Sequence, residues 1–229
     1  MFSKEELLEI TKEQLAVECN CAPGDFNQKE NVITRLGLSG KRRKFCDKPF
    51  FFKMTTMGGN AVISADERLH DWLRVFAKDK AGHWLFEHTK LREIEKRLEP
   101  FGKQLYETHH MFLPLGNPVK IKSDVAVKWF EQDKLHPFYE EKRFPNALCE
   151  AFTPERPDML AIAALDGGEI IGMAGCSADT DLLWQIGVDV DEAYRGKGIG
   201  AFLVSELRDE IASRGKIPYY GASLSNIPS

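Results

Sequence analysis

Residues 185–214 read QIGVDVDEAYRGKGIGAFLVSELRDEIASR, and this stretch decides the fold. Ile186-Gly187-Val188-Asp189-Val190 alternates apolar with small or polar residues at period two, which predicts a strand burying Ile186, Val188 and Val190. Arg195-Gly196-Lys197-Gly198-Ile199-Gly200 follows as a glycine-rich turn carrying two cations. Ala201, Phe202, Leu203, Leu207 and Ile211 then recur at helical spacing on one face. A strand, a glycine turn and a helix in this order make an anion site.

The first backbone N–H groups of a helix have no intrahelical acceptor and lie at the positive end of its dipole, so a phosphate there accepts several hydrogen bonds at once. Glycine lets the anion reach the backbone. Arg195 adds a planar fork at the rim and Lys197 a mobile point charge.

Spacing separates three kinds of phosphate loop. The nucleoside-triphosphate loop needs Ser or Thr after its lysine, and Lys197 is followed by Gly198. The dinucleotide pattern is met formally by Gly196, Gly198 and Ala201, but it should open a βαβ unit and needs an acidic residue about 20 positions on for the ribose. Neither condition is met before Ser229.

The third pattern, R-x-x-G-x-G, is met by Arg195, Gly198 and Gly200 directly after the strand. It resembles motif A of the GNAT acyltransferase superfamily. Upstream, Met159 to Leu165 and Glu169 to Ser177 are apolar strands joined by Asp166-Gly167-Gly168, a hairpin signal similar to that family's central antiparallel strands. Downstream, Ile217 to Leu224 resembles its fifth strand, and Ser225-Asn226 the point where its next helix begins. The resemblance covers the last third of the chain strongly and Lys120 to Pro157 weakly. It implies an α/β fold of α+β type, with a mixed, mainly antiparallel sheet flanked by helices.

Composition bounds the rest. The 229 residues are 43% hydrophobic, enough for one large or two small domains, and the net charge of −4 argues against a general nucleic-acid binder. Met1 to Cys19 reads as a charged amphipathic helix rather than a signal peptide, and no apolar run reaches the roughly 18 residues that span a bilayer. A cytoplasmic protein is expected. Cys19, Cys21, Cys46, Cys149 and Cys176 show no disulfide framework, and neither Cys19-Asn20-Cys21 nor His109-His110 has metal-ligand spacing, so no metal is expected.

Further helices are expected at Asp66 to Lys78 and Thr89 to Phe101, and strands at Phe50 to Met54 and Asn60 to Ser64. Gly116-Asn117-Pro118 is the strongest turn signal, which predicts an N-terminal α/β domain over 1–117 and the GNAT-like domain over 118–229. The cluster Lys41-Arg42-Arg43-Lys44 reads as a solvated loop. Asp124 to Leu135 reads as helical, interrupted by His136-Pro137, with Phe138 to Phe144 resuming as a second short helix. By resemblance these helices shape the acceptor side, with Trp129, Phe138, Tyr139 and Phe144 as candidates there and core packing as the alternative for each.

The resemblance further implies an N-acetyltransferase moving an acetyl group from acetyl-CoA to an amine of a small molecule or protein. The alternative is a non-catalytic acyl-CoA sensor. The expected cofactor residues are Val188, Val190, Arg195, Gly196, Lys197, Gly198, Ile199, Gly200, Ala201 and Asn226. An amine must lose a proton before it attacks, and Asp189, on the face opposite Ile186 and Val188, is the best-placed carboxylate, with Asp181, Asp191 and Glu192 behind it. The family's tyrosine acid lies in the helix after the fifth strand, and Tyr194, Tyr219 and Tyr220 do not match its position. The domain is therefore expected to be C-terminally incomplete, or completed by the N-terminal half. An amine acceptor and a homodimer are the expected partners, with no nucleic acid and no membrane.

Overall fold

The structure, a computed structural model, describes residues 2–43, 50–115 and 119–226. Its contacts gather into two units, one of residues 5–107 and one from Thr108 onward with the first residues of the chain. The division falls between Glu107 and Thr108 rather than at Gly116-Asn117-Pro118, a turn that lies outside the described residues, as do Lys44 and Cys46.

In the N-terminal unit the expected first helix is α1 (Lys4–Cys19). Three short strands follow, β1 (Val32–Arg35), β2 (Phe52–Thr56) and β3 (Ala61–Ala65), in the order β1-β3-β2. The central strand β3 is buried throughout, pairing parallel with β1 and antiparallel with β2. Asp66 caps the next turn by accepting from the Arg68 N–H, and α2 (His70–Phe76) and α3 (His88–Leu98) bury Leu73, Ile94 and Leu98 against Ile63.

One buried charge cluster ties this unit together. The Glu18 carboxylate accepts from Arg43 Nε and Nη2 at 2.5 and 3.0 Å and from Lys53 Nζ at 2.6 Å, with its side chain 3% exposed. Burial alone would raise its pKa, but the bonds and charges of Arg43 and Lys53 outweigh it and hold the carboxyl at about 2. A carboxyl lowered on folding stabilises fully above its unfolded value near 4.5, and that contribution is lost as pH falls through the folded value near 2. Urea unfolding of the unit should therefore lose on the order of 3 kcal/mol between about pH 5 and pH 2. Glu18→Gln should flatten this slope, and an unchanged slope in that variant would refute the assignment.

The C-terminal unit is a six-stranded sheet ordered β4-β9-β8-β7-β6-β5. In chain order its elements are β4 (His109–Phe112), β5 (Ala126–Glu131), α4 (His136–Glu141), β6 (Asp158–Asp166), β7 (Glu169–Ala178), β8 (Leu183–Val190), α5 (Ile199–Ser213) and β9 (Ile217–Ser223). All pairings are antiparallel except β8 with β9. This is the expected mixed, mainly antiparallel sheet. Gly167 and Gly168, with φ of 58° and 94°, close the β6–β7 hairpin in a backbone region that favours glycine.

Two expectations change here. Asp124 to Leu135 is not a helix; its centre is β5, an edge strand whose Ala126 and Glu131 pair with Leu165 and Leu160 of β6. Residues 109–112, expected within the N-terminal domain, belong to this sheet as well, because His109–Phe112 pairs with Tyr220–Ser223.

Both faces of the sheet are covered. On one, Phe202, Leu203, Leu207 and Ile211 of α5 pack on Ile162, Ala174, Trp184 and Ile186. On the other, Leu135, Phe144, Ala147 and Leu148 pack on Ala161, Ala163 and Met173, with Phe138 of α4 alongside. Among the described residues no helix is long and apolar enough to cross a membrane.

Candidate active site

The strand β8 sorts its side chains as its sequence pattern requires. Trp184, Ile186, Val188 and Val190 face α5, and Gln185, Gly187 and Asp189 face the opposite layer. Its parallel pairing with β9 runs only from Leu183↔Ile217 to Ile186↔Tyr220. Beyond that pair the two strands part. Asp191 N–H donates to Ile171 O of β7 at 2.9 Å, so by strand alternation the N–H groups of Val188 and Val190 point away from β7, into the gap left by β9.

The glycine loop closes one end of this gap. Gly196 and Gly198 have φ of 75° and 79°, and a Cβ built on either would meet nothing within 4 Å. Gly198 is the N-cap of α5, without a side-chain cap, and the first helical bond is Phe202 N–H to Gly198 O at 3.0 Å. Among the described residues, the backbone N–H groups from Gly196 to Ala201 have no protein acceptor. Gly200 differs: a Cβ there would lie in ordinary contact with β8, 3.4 Å from Val190 and 3.7 Å from Val188, so this position faces the strand rather than the outside. The open cradle is Gly196 to Ile199.

Two cations stand at the cradle. Arg195 Nε donates to Val190 O at 3.0 Å, which holds the guanidinium against the end of β8. Lys197 Nζ lies 4.7 Å from the centre of the Tyr194 ring, and the Tyr194 hydroxyl donates to Asp166 at 2.7 Å. Unpartnered N–H groups, an unobstructed backbone and two cations suit a pyrophosphate, so the residues fit the phosphate portion of a coenzyme A thioester. Asn226 lies past the end of β9, its N–H donating to Ser223 O.

Asp189 has a different employment from the expected one. Its Oδ2 accepts from the N–H groups of Asn146 and Ala147 at 2.8 and 2.9 Å, and its Oδ1 from Asn146 Nδ2 at 2.5 Å. Three of the roughly four acceptor sites of the carboxylate are thereby occupied. The carboxylate anchors the turn at residues 145–147 to the sheet. Asp191 pairs with Arg143 at 3.0 Å, while Asp181 and Glu192 are exposed. The substitutions Asp189→Asn and Asp189→Ala separate anchor from base. An asparagine Oδ1 still accepts from both backbone donors, so a loss of about 1 kcal/mol is expected, against about 3 kcal/mol for alanine. A base would instead leave Asp189→Asn stable but without turnover. Urea unfolding and acetyl-CoA thiol release on both variants decide between these outcomes.

The aromatic residues also divide. Phe138, Tyr139 and Phe144 are core residues of the layer opposite α5, with Phe130 and Phe138 ring centres 5.0 Å apart. Trp129 pairs with Ile162, whose side chain belongs to the α5 face, so it lies on the other side of the sheet from the expected acceptor layer. Sequence reasoning missed Asn146 as the partner of Asp189, which is separated from it by 43 positions. It also missed Gln185, Arg156 and Asp179, whose bonds join residues 23 and 29 positions apart. Among the described residues no group of His, Cys, Asp and Glu could hold a metal ion.

The family model described as "Acetyltransferase (GNAT) family" matches residues 124–229. Residues 124–229 are thus similar to GNAT acetyltransferase domains. The matched segment begins at β5 and takes in the splayed strands β8 and β9 and the glycine loop. Among solved structures, the chain is similar to a GNAT-family acetyltransferase from Novosphingobium aromaticivorans, with 17% identity over 52% of this chain and 53% of that one and a TM-score of 0.42. An aminoglycoside 6'-N-acetyltransferase complexed with coenzyme A matches at 25% identity over 42% and 60%, TM-score 0.29. A GNAT-family acetyltransferase from Colwellia psychrerythraea matches at 11% identity over 99% and 90%, TM-score 0.41. This chain spans about half the length of the Novosphingobium protein. No curated protein matches it.

Proposed function

We propose that this protein is a cytoplasmic N-acetyltransferase that uses acetyl-CoA as co-substrate to acetylate an amine of a small molecule or protein. One observation carries this reading: β8 and β9 part directly beside a glycine cradle whose N–H groups have no protein acceptor. Gly196, Lys197, Gly198, Ile199 and Ala201 would hold the pyrophosphate, with Arg195 at the rim. The Val188 and Val190 N–H groups would receive the pantetheine arm and the acyl group, and Gly200 lies where the helix that forms the cradle meets β8. Acetyl-CoA supplies the activated acyl carbon. The amine nitrogen bonds to that carbon as the C–S bond breaks with its electron pair going to sulfur, the amine losing a proton and the thiolate gaining one.

A second reading is favoured by the anchoring of Asp189. With this carboxylate committed to the turn at residues 145–147, a non-catalytic acyl-CoA sensor uses the same cradle without a base. Calorimetric titration with acetyl-CoA, NAD and ATP tests the cradle, and only acetyl-CoA should bind. Free-thiol release from acetyl-CoA in the presence of an amine panel then separates enzyme from sensor. Binding of NAD in preference to acetyl-CoA would overturn both.

A further inference from the structure

A row of polar side chains crosses the sheet at the point where β8 and β9 part. Ser177, Gln185 and Tyr219 are register partners on three adjacent strands. Above them, the fully buried Asp179 carboxylate accepts from Arg156 Nε at 2.6 Å, from Ser177 Oγ at 3.0 Å and from the Tyr219 hydroxyl. Arg156 Nη2 donates to Gln185 Oε1 at 3.1 Å, and the Tyr219 hydroxyl, which donates to Asp179, also lies 3.1 Å from that oxygen.

This network fixes the Gln185 amide. Turning it over would set its NH₂ against the Arg156 guanidinium, two donors facing each other, and would forfeit a charge-assisted bond. Its Nε2 therefore points the other way. Among the described residues Nε2 has no acceptor, and it lies 3.2 Å from the position a Cβ of Gly221 would take. Gly221 follows Tyr220, the last β9 residue paired with β8, and Met111 Sδ lies 3.3 Å from the same position. The absence of a side chain at 221 leaves the room that Gln185 Nε2 and Met111 Sδ fill beside β9, one residue past the last β8–β9 pair, and Nε2 reaches that point with both N–H bonds unused among the described residues.

We propose that Gln185 Nε2 donates a hydrogen bond to the carbonyl oxygen of the bound thioester, and that Arg156, Asp179 and Tyr219 hold it in that orientation. This inference rests on the acetyl-CoA reading given above. As the amine nitrogen bonds to the acyl carbon, charge moves onto the carbonyl oxygen, and a donor already oriented there stabilises it without reorganising. The backbone N–H groups of Val188 and Val190 approach from the strand side. Gln185 approaches from the layer opposite α5 and adds a side-chain donor to them.

The test uses acetyl-CoA carrying ¹³C at the thioester carbonyl, with isotope-edited infrared spectra of the bound carbonyl. In the wild-type protein its stretch should fall below that of free acetyl-CoA. Gln185→Glu keeps the size and the oxygen facing Arg156 but replaces the donor by an acceptor, and Gln185→Leu removes both. In each variant the stretch should move back toward the free value, while calorimetric affinity for acetyl-CoA changes by less than about tenfold, the equivalent of one neutral hydrogen bond. A role confined to holding Arg156 and Asp179 would leave the stretch of the nearly isosteric Gln185→Glu where the wild type has it. An unchanged frequency in either folded variant overturns the proposal, even where binding persists. A wild-type protein that binds no acetyl-CoA sinks the acetyl-CoA reading itself, and this inference with it.

Discussion

Gly198→Glu should abolish measurable acetyl-CoA binding while leaving the protein folded. Three features of the residue combine to give this result. A side chain at 198 meets no protein atom within 4 Å, so it projects into the space an anion would occupy. Glutamate adds a like charge to that bulk. The φ of 79° adds backbone strain on the order of 1–2 kcal/mol for any side chain, which is why Gly198→Ala is the control. Alanine shares the strain without the charge and most of the bulk. Each charge-assisted bond from the cradle carries about 1.5–3 kcal/mol, so displacing the whole pyrophosphate exceeds a thousandfold in affinity. Arg195→Ala removes one such contact and should cost only about ten- to a hundredfold, because the backbone amides remain. Calorimetry on the three folded variants reads the series directly. Wild-type affinity in Gly198→Glu would mean that the loop does not hold the co-substrate.

The loop could be read from sequence because everything that makes it is local. Strand alternation through Ile186, Val188 and Val190, left-handed glycines at 196 and 198 and the apolar face from Phe202 to Ile211 lie in one continuous stretch, and the structure reproduces their order. The β6–β7 hairpin was legible for the same reason. Elements whose state depends on distant partners were not. β1 has four residues and no periodicity of its own; it is a strand because Val32 to Arg35 lie beside Val62 to Ala65. Val125, Val127, Trp129 and Phe130 mix period two with adjacent apolar residues, and the pairing with β6 settles Ala126–Glu131 as a strand. The turn signal at residues 116–118 drew the domain boundary past β4, whose membership in the C-terminal sheet rests wholly on β9.

The same division governs the site. The cradle is a backbone site, and glycine spacing encodes backbone conformation. Catalytic assignments depend on which side chains meet, and Asp189 meets Asn146 across 43 positions. Period-two patterning placed Asp189 on the correct face but carried no information about what would cover that face. Glycines inside strands were the unread signal. Gly175 and Gly187 each interrupt a buried strand that would gain packing from a larger residue, and a glycine there marks a close approach of another backbone.

Gly187→Val should be the most damaging single change in the C-terminal unit. A Cβ at 187 would lie 1.8 Å from Asn146 O and 2.7 Å from its carbonyl carbon, both main-chain atoms. Its cross-strand partner Gly175 is in the same position, with Ala147 O at 2.2 Å from the Cβ site. The paired glycines form a trough in which the turn at residues 145–147 lies, and the Asp189 carboxylate fastens it from the same strand. Overpacking commonly costs about 1–3 kcal/mol when side chains can shift; here the obstacle is backbone on both sides, so a loss of about 3 kcal/mol or more is expected. The alternative is that the turn lifts away, in which case Ala147 and Leu148 leave the core of Ala161, Ala163 and Met173 and the Asp189 bonds break together. Either outcome lowers the urea midpoint, and the second also speeds hydrogen exchange at the Asn146 and Ala147 amides, which donate to Asp189 in the intact protein. Gly196→Val provides the contrast, since a Cβ there meets nothing and only the strain of a φ of 75° remains. Equal midpoints for Gly187→Val and the wild type would show that the turn does not rest on this strand. The layer opposite α5 would then need another explanation for a glycine in the middle of β8.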